Sequence, residues 1–122
     1  MATILIVEDE EWIASLMSER LQKAGHHTAT AMTISEGMAK LKELKPDVVT
    51  LDIIMPDCSG LEMLRSIRKD PETFAIPVVV VSSTDESERA FSLGADGYVQ
   101  KPVNFSKLLD AVKHFAVLDK VS

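Results

Sequence analysis

The amino-acid sequence predicts an α/β fold, a doubly wound five-stranded parallel sheet flanked by five helices. Three observations carry that expectation. The runs TILIV (3–7), DVVTL (47–51) and PVVVVS (77–82) are β-rich and continuously apolar instead of alternating, as strands covered on both faces are. Stretches with apolar residues at helical spacing separate them. Two weaker strand candidates, HTATA (27–31) and GYVQK (97–101), complete a repeated β–α alternation. Right-handed crossovers turn that alternation into a parallel sheet with helices on both faces.

Each helix has its own local signal. Residues 10–24 place Ile13, Leu16, Met17, Leu21 and Ala24 at helical spacing, and Gly25 supplies a C-terminal stop. TISE (33–36) has the form of a capping box and opens a helix carrying Ile34, Met38 and Leu41, which must end before Pro46. SGLE (59–62) has the same form and opens a third helix with Leu61, Leu64 and Ile67. A short fourth helix covers 85–93. NFSKLLDAVKHF (104–115) gives the fifth, with Asn104 as N-cap.

The bulk properties exclude several classes. With 122 residues and no linker, repeat or low-complexity tract, the chain reads as a single domain, 1–122. A formal net charge of -6 disfavours non-specific binding to nucleic acid or to an anionic membrane. The longest apolar runs are strand-sized and too short to span a bilayer. The N-terminus enters TILIV without a basic segment or signal sequence. A single cysteine, Cys58, leaves no internal disulfide framework and no Cys-rich zinc site. A cytoplasmic protein is expected, acting neither on nucleic acid directly nor on a membrane.

In a doubly wound sheet, ligands bind beyond the C-terminal strand ends, at the switch in strand order. There the sequence places Glu8, Asp9, Glu10 and Glu11 after the first strand, Asp52 after the third, Ser82 and Ser83 at the fourth, and Lys101-Pro102 at the fifth. Singly, each has an ordinary explanation: acids favour a helix start, a serine can terminate a strand, and a lysine is usually solvated. Together they form a charged rim. Glu8, Asp9 and Asp52 would repel one another, and Lys101 supplies too little positive charge to balance them. Mg2+, or alternatively Mn2+, suits such hard oxygen ligands and leaves positions open for phosphate oxygens. The chemistry expected is phosphoryl transfer, with Asp52 as nucleophile forming an acyl phosphate. Lys101 and the metal would stabilise charge on the transferring group, and Ser82 would donate a hydrogen bond to it.

IVEDE, LDIIMPDCSGLEML, PVVVVSS and GADGYVQKP, in that order, carry a resemblance that runs from about residue 3 to residue 117. The chain resembles the receiver domain of two-component response regulators, of the chemotaxis-regulator type, whose fold is flavodoxin-like. The resemblance implies that Asp52 is the phosphoacceptor for a sensor histidine kinase or phosphotransfer protein. It implies that Asp9 and Asp52 bind Mg2+ directly, joined by the backbone carbonyl of Ile54, while Glu8 acts partly through water. Lys101 would pair with the phosphoryl oxygens, and its bond to Pro102 would be cis. Ser82 would move toward the phosphoryl group, and Tyr98 would turn inward as the aromatic switch residue. A downstream protein would read the helix 4–strand 5–helix 5 face, about 85–115. The domain would catalyse only its own phosphorylation and dephosphorylation.

The chain departs from the pattern in places. From Ser82 to Lys101 it is about three residues shorter than the family norm, nearly one helical turn of ~3.6 residues. A shortened strand 4–helix 4 region is therefore expected. Glu8 replaces the more frequent Asp, and Ser83 stands where Ala or Gly is usual. Ile54 and Thr84 lie near the mouth, and apolar Ile54 is expected to hinder the hydrolytic water and lengthen the phosphoryl lifetime. Trp12 is expected to pack, with a surface position near the metal as the alternative; Cys58 is expected to be a tolerated small residue and the six methionines to fill the core. His26, His27 and His114 lack metal-ligand spacing. An Asp-nucleophile, metal-dependent phosphatase of the haloacid-dehalogenase type is the alternative. Its general acid would sit two residues after the nucleophile, where this chain has Ile54. A flavin or dinucleotide site would need a phosphate-cradling glycine loop where this chain has EDEE. A stand-alone regulator is slightly favoured over a receiver cut from a longer protein.

Overall fold

The computed structural model describes residues 2–121, with side chains to residue 116. Strands β1 (Thr3–Val7), β2 (His27–Ala31), β3 (Val48–Leu51), β4 (Val78–Ser82) and β5 (Gly97–Gln100) form one parallel sheet in the order β2-β1-β3-β4-β5. Helices α1 (Glu11–Lys23), α2 (Ile34–Leu44), α3 (Gly60–Lys69), α4 (Ser87–Ser92) and α5 (Phe105–Val121) make the crossovers. The strand order reverses between β1 and β3, so the crevice opens beyond those two strands. The inner strands β1, β3 and β4 are buried almost throughout, which is why they read as continuous apolar runs. The edge strands β2 and β5 are partly exposed, and their sequence signals are correspondingly weaker.

Alternate side chains of each strand face opposite layers. Leu5, Val7, Val49, Leu51, Val78 and Val80 pack with Leu41 of α2 and Leu61, Leu64 and Ile67 of α3. Ile4, Ile6, Val48, Val79, Val81 and Val99 pack with Met17 and Leu21 of α1 and Leu108 and Val112 of α5. Core filling holds for Met17, Met55 and Met63, whereas Met32 and Met38 are only half-buried and Met1 lies outside the described residues. Ala24, read as part of the apolar face of α1, is its exposed C-cap. Trp12 departs further from expectation. It stands 67% exposed on the first turn of α1.

The two capping boxes form only in part. Thr33 Oγ1 accepts from the Glu36 amide at 3.0 Å, but the Glu36 carboxylate reaches back to the Met32 amide at 2.6 Å, one residue earlier than a reciprocal box requires. Ser59 Oγ accepts from the Leu61 amide at 3.1 Å, while the Glu62 carboxylate lies 3.9 Å from Arg65. Asp57 supplies a second cap to α2 from a remote loop, accepting from the Ile34 amide at 2.8 Å and the Ser35 amide at 3.0 Å. Those bonds hold its carboxyl below the usual aspartate range. Asn104 caps α5 as expected, its Oδ1 accepting from the Lys107 amide at 3.1 Å. Helix α4 has six residues, Ser87–Ser92, in keeping with the shortened region.

Two further features fix connecting loops, one of them beside the crevice. Gly60 lies so close to the chain after β3 that a Cβ there would sit 1.9 Å from the Asp52 carbonyl oxygen, and only glycine fits. On the opposite side of the molecule, the Arg68 guanidinium donates to the carbonyls of Gly94 at 2.9 Å, Phe74 at 2.9 Å and Ile76 at 2.7 Å. It also meets Asp96 Oδ2 at 2.8 Å, tying the end of α3 to the α4–β5 turn.

Candidate functional site

Sheet register delivers the acids and the lysine to one rim. Val7 pairs with Leu51 and with Ala31, and Ser82 pairs with Gln100. The ladder runs one residue farther: the Glu8 amide donates to Ala31 O at 2.9 Å, Asp52 to Val7 O at 3.1 Å and Lys101 to Ser82 O at 2.8 Å. Glu8, Asp52 and Lys101 therefore leave the sheet at the same level.

Their side chains meet. Lys101 Nζ lies 2.8 Å from Glu8 Oε1 and 2.9 Å from Asp52 Oδ2. Glu8 is 1% exposed and Asp52 4%, so these are desolvated charges with a single ammonium between them. Glu8 Oε2 accepts from the Glu10 amide at 3.2 Å, and Asp52 Oδ1 from the Ile54 amide at 3.3 Å. Burial pushes the Glu8 carboxyl up to about 7, opposed by its hydrogen bond to Lys101 and reinforced by the charge of Asp52. Burial disfavours the Lys101 ammonium, yet its bonds to Glu8 and Asp52 outweigh that and raise its pKa above the ordinary lysine value. The Lys101–Pro102 bond is cis.

Asp9 stands at the exposed edge of the pair. One carboxylate oxygen each from Glu8, Asp9 and Asp52 falls within 4.8 Å of the others. A divalent ion with oxygen ligands fits that donor set, which carries more negative charge than Lys101 can balance. The Ile54 amide is turned to Asp52, and its side chain is 57% exposed at the mouth.

The hydroxyl end of the rim is arranged differently. Ser82 is fully buried, but its Oγ lies 3.2 Å from Thr84 Oγ1 and 3.4 Å from the Thr84 amide, bonded within its own loop. Ser83 faces solvent. Tyr98 is half-buried, its ring packed on the core layer of α2 and α3. Its hydroxyl donates to Thr84 O and accepts from the Glu86 amide at 3.2 Å.

Two features of the site go beyond what the sequence grouped there, one a contact and the other a groove. Glu10 is a third carboxylate near Lys101, at 3.6 Å. Beside the lysine lies an apolar groove of about 360 Å³ lined by Trp12, Ile13, Leu16, Pro102, Val103 and Phe105. No sequence signal marked it, since nothing local shows that residues 12–16 and 101–105 adjoin. Cys58 and His27 are exposed, and His114 stacks edge-on with Phe115 at 5.0 Å.

A charged rim of this composition, at the switch point of a parallel sheet, defines a class, and comparison with known proteins identifies it. Residues 4–113 match the family model described as the response regulator receiver domain. The chain belongs to that family: it is a receiver domain of the two-component response regulators. It is 38% identical over 115 residues to the protein PilH of Pseudomonas aeruginosa, covering 92% of this chain and 95% of PilH. It is 37% identical to the phosphate regulon transcriptional regulatory protein PhoB of Rhizobium meliloti, covering 90% of this chain but 50% of that protein. It thus spans nearly all of one relative and half of the other. Among solved structures, a receiver domain from Clostridium thermocellum superposes with a TM-score of 0.91 at 29% identity, covering 99% of this chain and 98% of that one. A CheY-like receiver from Methanospirillum hungatei gives 0.90 at 28% identity, with 98% and 97% covered. The family assignment leaves the phosphatase alternative without support. Among the described residues, no helix is long and apolar enough to cross a membrane.

Proposed function

We propose that this domain is a phosphorylation-driven interaction switch in which Asp52 accepts a phosphoryl group from a phosphohistidine on a sensor histidine kinase or phosphotransfer protein. The observation that carries the reading is the Lys101 ammonium held 2.9 Å from Asp52 Oδ2 at the switch point of the sheet, with Glu8 and Asp9 converging beside it. An Asp52 carboxylate oxygen forms the new bond to phosphorus. The phosphorus–nitrogen bond of the donor breaks, and its electron pair stays on the imidazole, which takes a proton from solvent. Lys101 follows the phosphoryl oxygens as they arrive, leaving its present contacts. Mg2+, or Mn2+, held by Glu8, Asp9, Asp52 and the Ile54 carbonyl, would neutralise the charge on those oxygens. Ser82 turns from Thr84 to donate to the phosphoryl group, and Tyr98 responds through the loop it is bonded to.

The added charge then shifts the face formed by α4, β5 and α5 between two arrangements that a downstream protein distinguishes. Self-hydrolysis by water returns Asp52 to its free state, so the domain turns over only its own acyl phosphate. Such a switch belongs in the cytoplasm, where a kinase charged from ATP can reach it. Intact-mass analysis after incubation with a small acyl phosphate tests the proposal. One hydroxylamine-labile phosphoryl adduct should form with Mg2+ and not without it, and Asp52→Asn should abolish it. An adduct that survives in Asp52→Asn would overturn the assignment.

A further inference from the structure

We propose that Glu86, acting through Thr84, is a positioning residue that holds Ser82 turned away from the acid site. This deepens the reading above and rests on Ser82 being the hydroxyl that turns to the phosphoryl group. The direction of the hydrogen bonds carries it. Thr84 Oγ1 lies 3.0 Å from Glu86 Oε2, and a carboxylate can only accept, so Thr84 is the donor. With its single hydrogen committed there, Thr84 can only accept from Ser82, 3.2 Å away. The hydrogen that Ser82 would give to a phosphoryl oxygen is therefore occupied by a relay that ends on Glu86.

The relay is held in place. Tyr98 Oη takes the Glu86 amide and donates to the Thr84 carbonyl, fixing both ends of the turn from which the Glu86 carboxylate reaches back. Only residues 83–86 separate Ser82 at the end of β4 from Ser87 at the start of α4, so the whole relay lies within one short loop. A charged phosphoryl acceptor is stronger than a neutral hydroxyl, so phosphorylation can draw Ser82 away, against this latch. Glu86 thus sets how readily the Ser82 hydroxyl leaves Thr84 for the phosphoryl group.

Beryllofluoride, a phosphoryl mimic, tests the latch. Its binding with Mg2+ can be followed by the fluorescence of Trp12, the single tryptophan, which shares a groove with Lys101. Glu86→Ala and Thr84→Val should each tighten beryllofluoride binding about three- to tenfold, the effect of removing one competing hydrogen bond. The double variant should bind no tighter than either single one, because both break the same relay. Glu86→Gln, which keeps an acceptor oxygen, should stay near the wild type, and Mg2+ affinity without beryllofluoride should not change. Unchanged or weaker binding in both disabling variants would overturn the latch.

A second measurement separates this proposal from the one it rests on. In metal-free protein the Ser82 χ1 couplings should report one rotamer in the wild type and in Glu86→Gln. They should be averaged in Glu86→Ala and Thr84→Val. A single unchanged rotamer in all four overturns the latch. Failure of the wild type to bind beryllofluoride would instead overturn the phosphoacceptor site, with the χ1 comparison still deciding the latch.

Discussion

Glu8→Gln should change how the stability of the metal-free domain depends on pH. In the folded chain burial raises the Glu8 carboxyl from 4.5 to about 7, so between those values the folded state keeps a proton that the unfolded state has released. A raised folded-state pKa contributes stability that is complete below the unfolded value and is lost as pH climbs through the folded one. Each tenfold change in proton affinity is about 1.4 kcal/mol, so the rise to about 7 corresponds to ~3 kcal/mol lost between about pH 4.5 and 8. Lys101 is protonated throughout that window, folded or unfolded, and adds no slope. Urea unfolding at pH 5, 6, 7 and 8 in chelator should show the wild type losing stability with pH relative to Glu8→Gln, which has no proton to lose there. Taking the difference between the two proteins cancels the other titrating groups. Saturating Mg2+ should flatten the wild-type slope, because the ion favours the ionised acid. A wild-type-minus-variant difference constant to within ~0.5 kcal/mol from pH 5 to 8, about the uncertainty of the extrapolation, would refute the argument.

Other changes have equally definite outcomes. Among the described residues, Thr50 Oγ1 is the buried side-chain polar atom with no hydrogen-bond partner, so Thr50→Val should stabilise the domain by about 1 kcal/mol in urea unfolding. Ile54→Asn replaces an exposed apolar side chain at the mouth with one able to orient water; the rate of acyl-phosphate loss should rise several-fold, and a rate that barely moves would count against Ile54 as a shield. Trp12 stands exposed on an apolar groove that Lys101 also lines, where a protein donor reaching Asp52 would cover it. Trp12→Ala should then slow transfer from a protein donor about tenfold, yet leave transfer from a small acyl phosphate unaltered. Equal slowing with both donors would place Trp12 in the chemistry and not in docking.

What could be read from the sequence was local or followed from a handedness rule. Continuous β-branched runs marked β1, β3 and β4, and Gly25 and Asn104 marked helix ends, because those signals depend on residues a few positions apart. Once the crossovers are right-handed, residues just past the strands must share one edge, so Glu8, Asp52, Ser82 and Lys101 could be grouped before any distance was known. Tertiary structure decided which of the grouped atoms touch. It turned Asp57 to the amides of Ile34 and Ser35, gave Lys101 a third carboxylate in Glu10, bared Trp12 to solvent and directed Ser82 to Thr84. Strand order and crossover hand assign residues to an edge. The aim of each side chain around that edge depends on packing, loop length and competing partners that no short window of sequence contains.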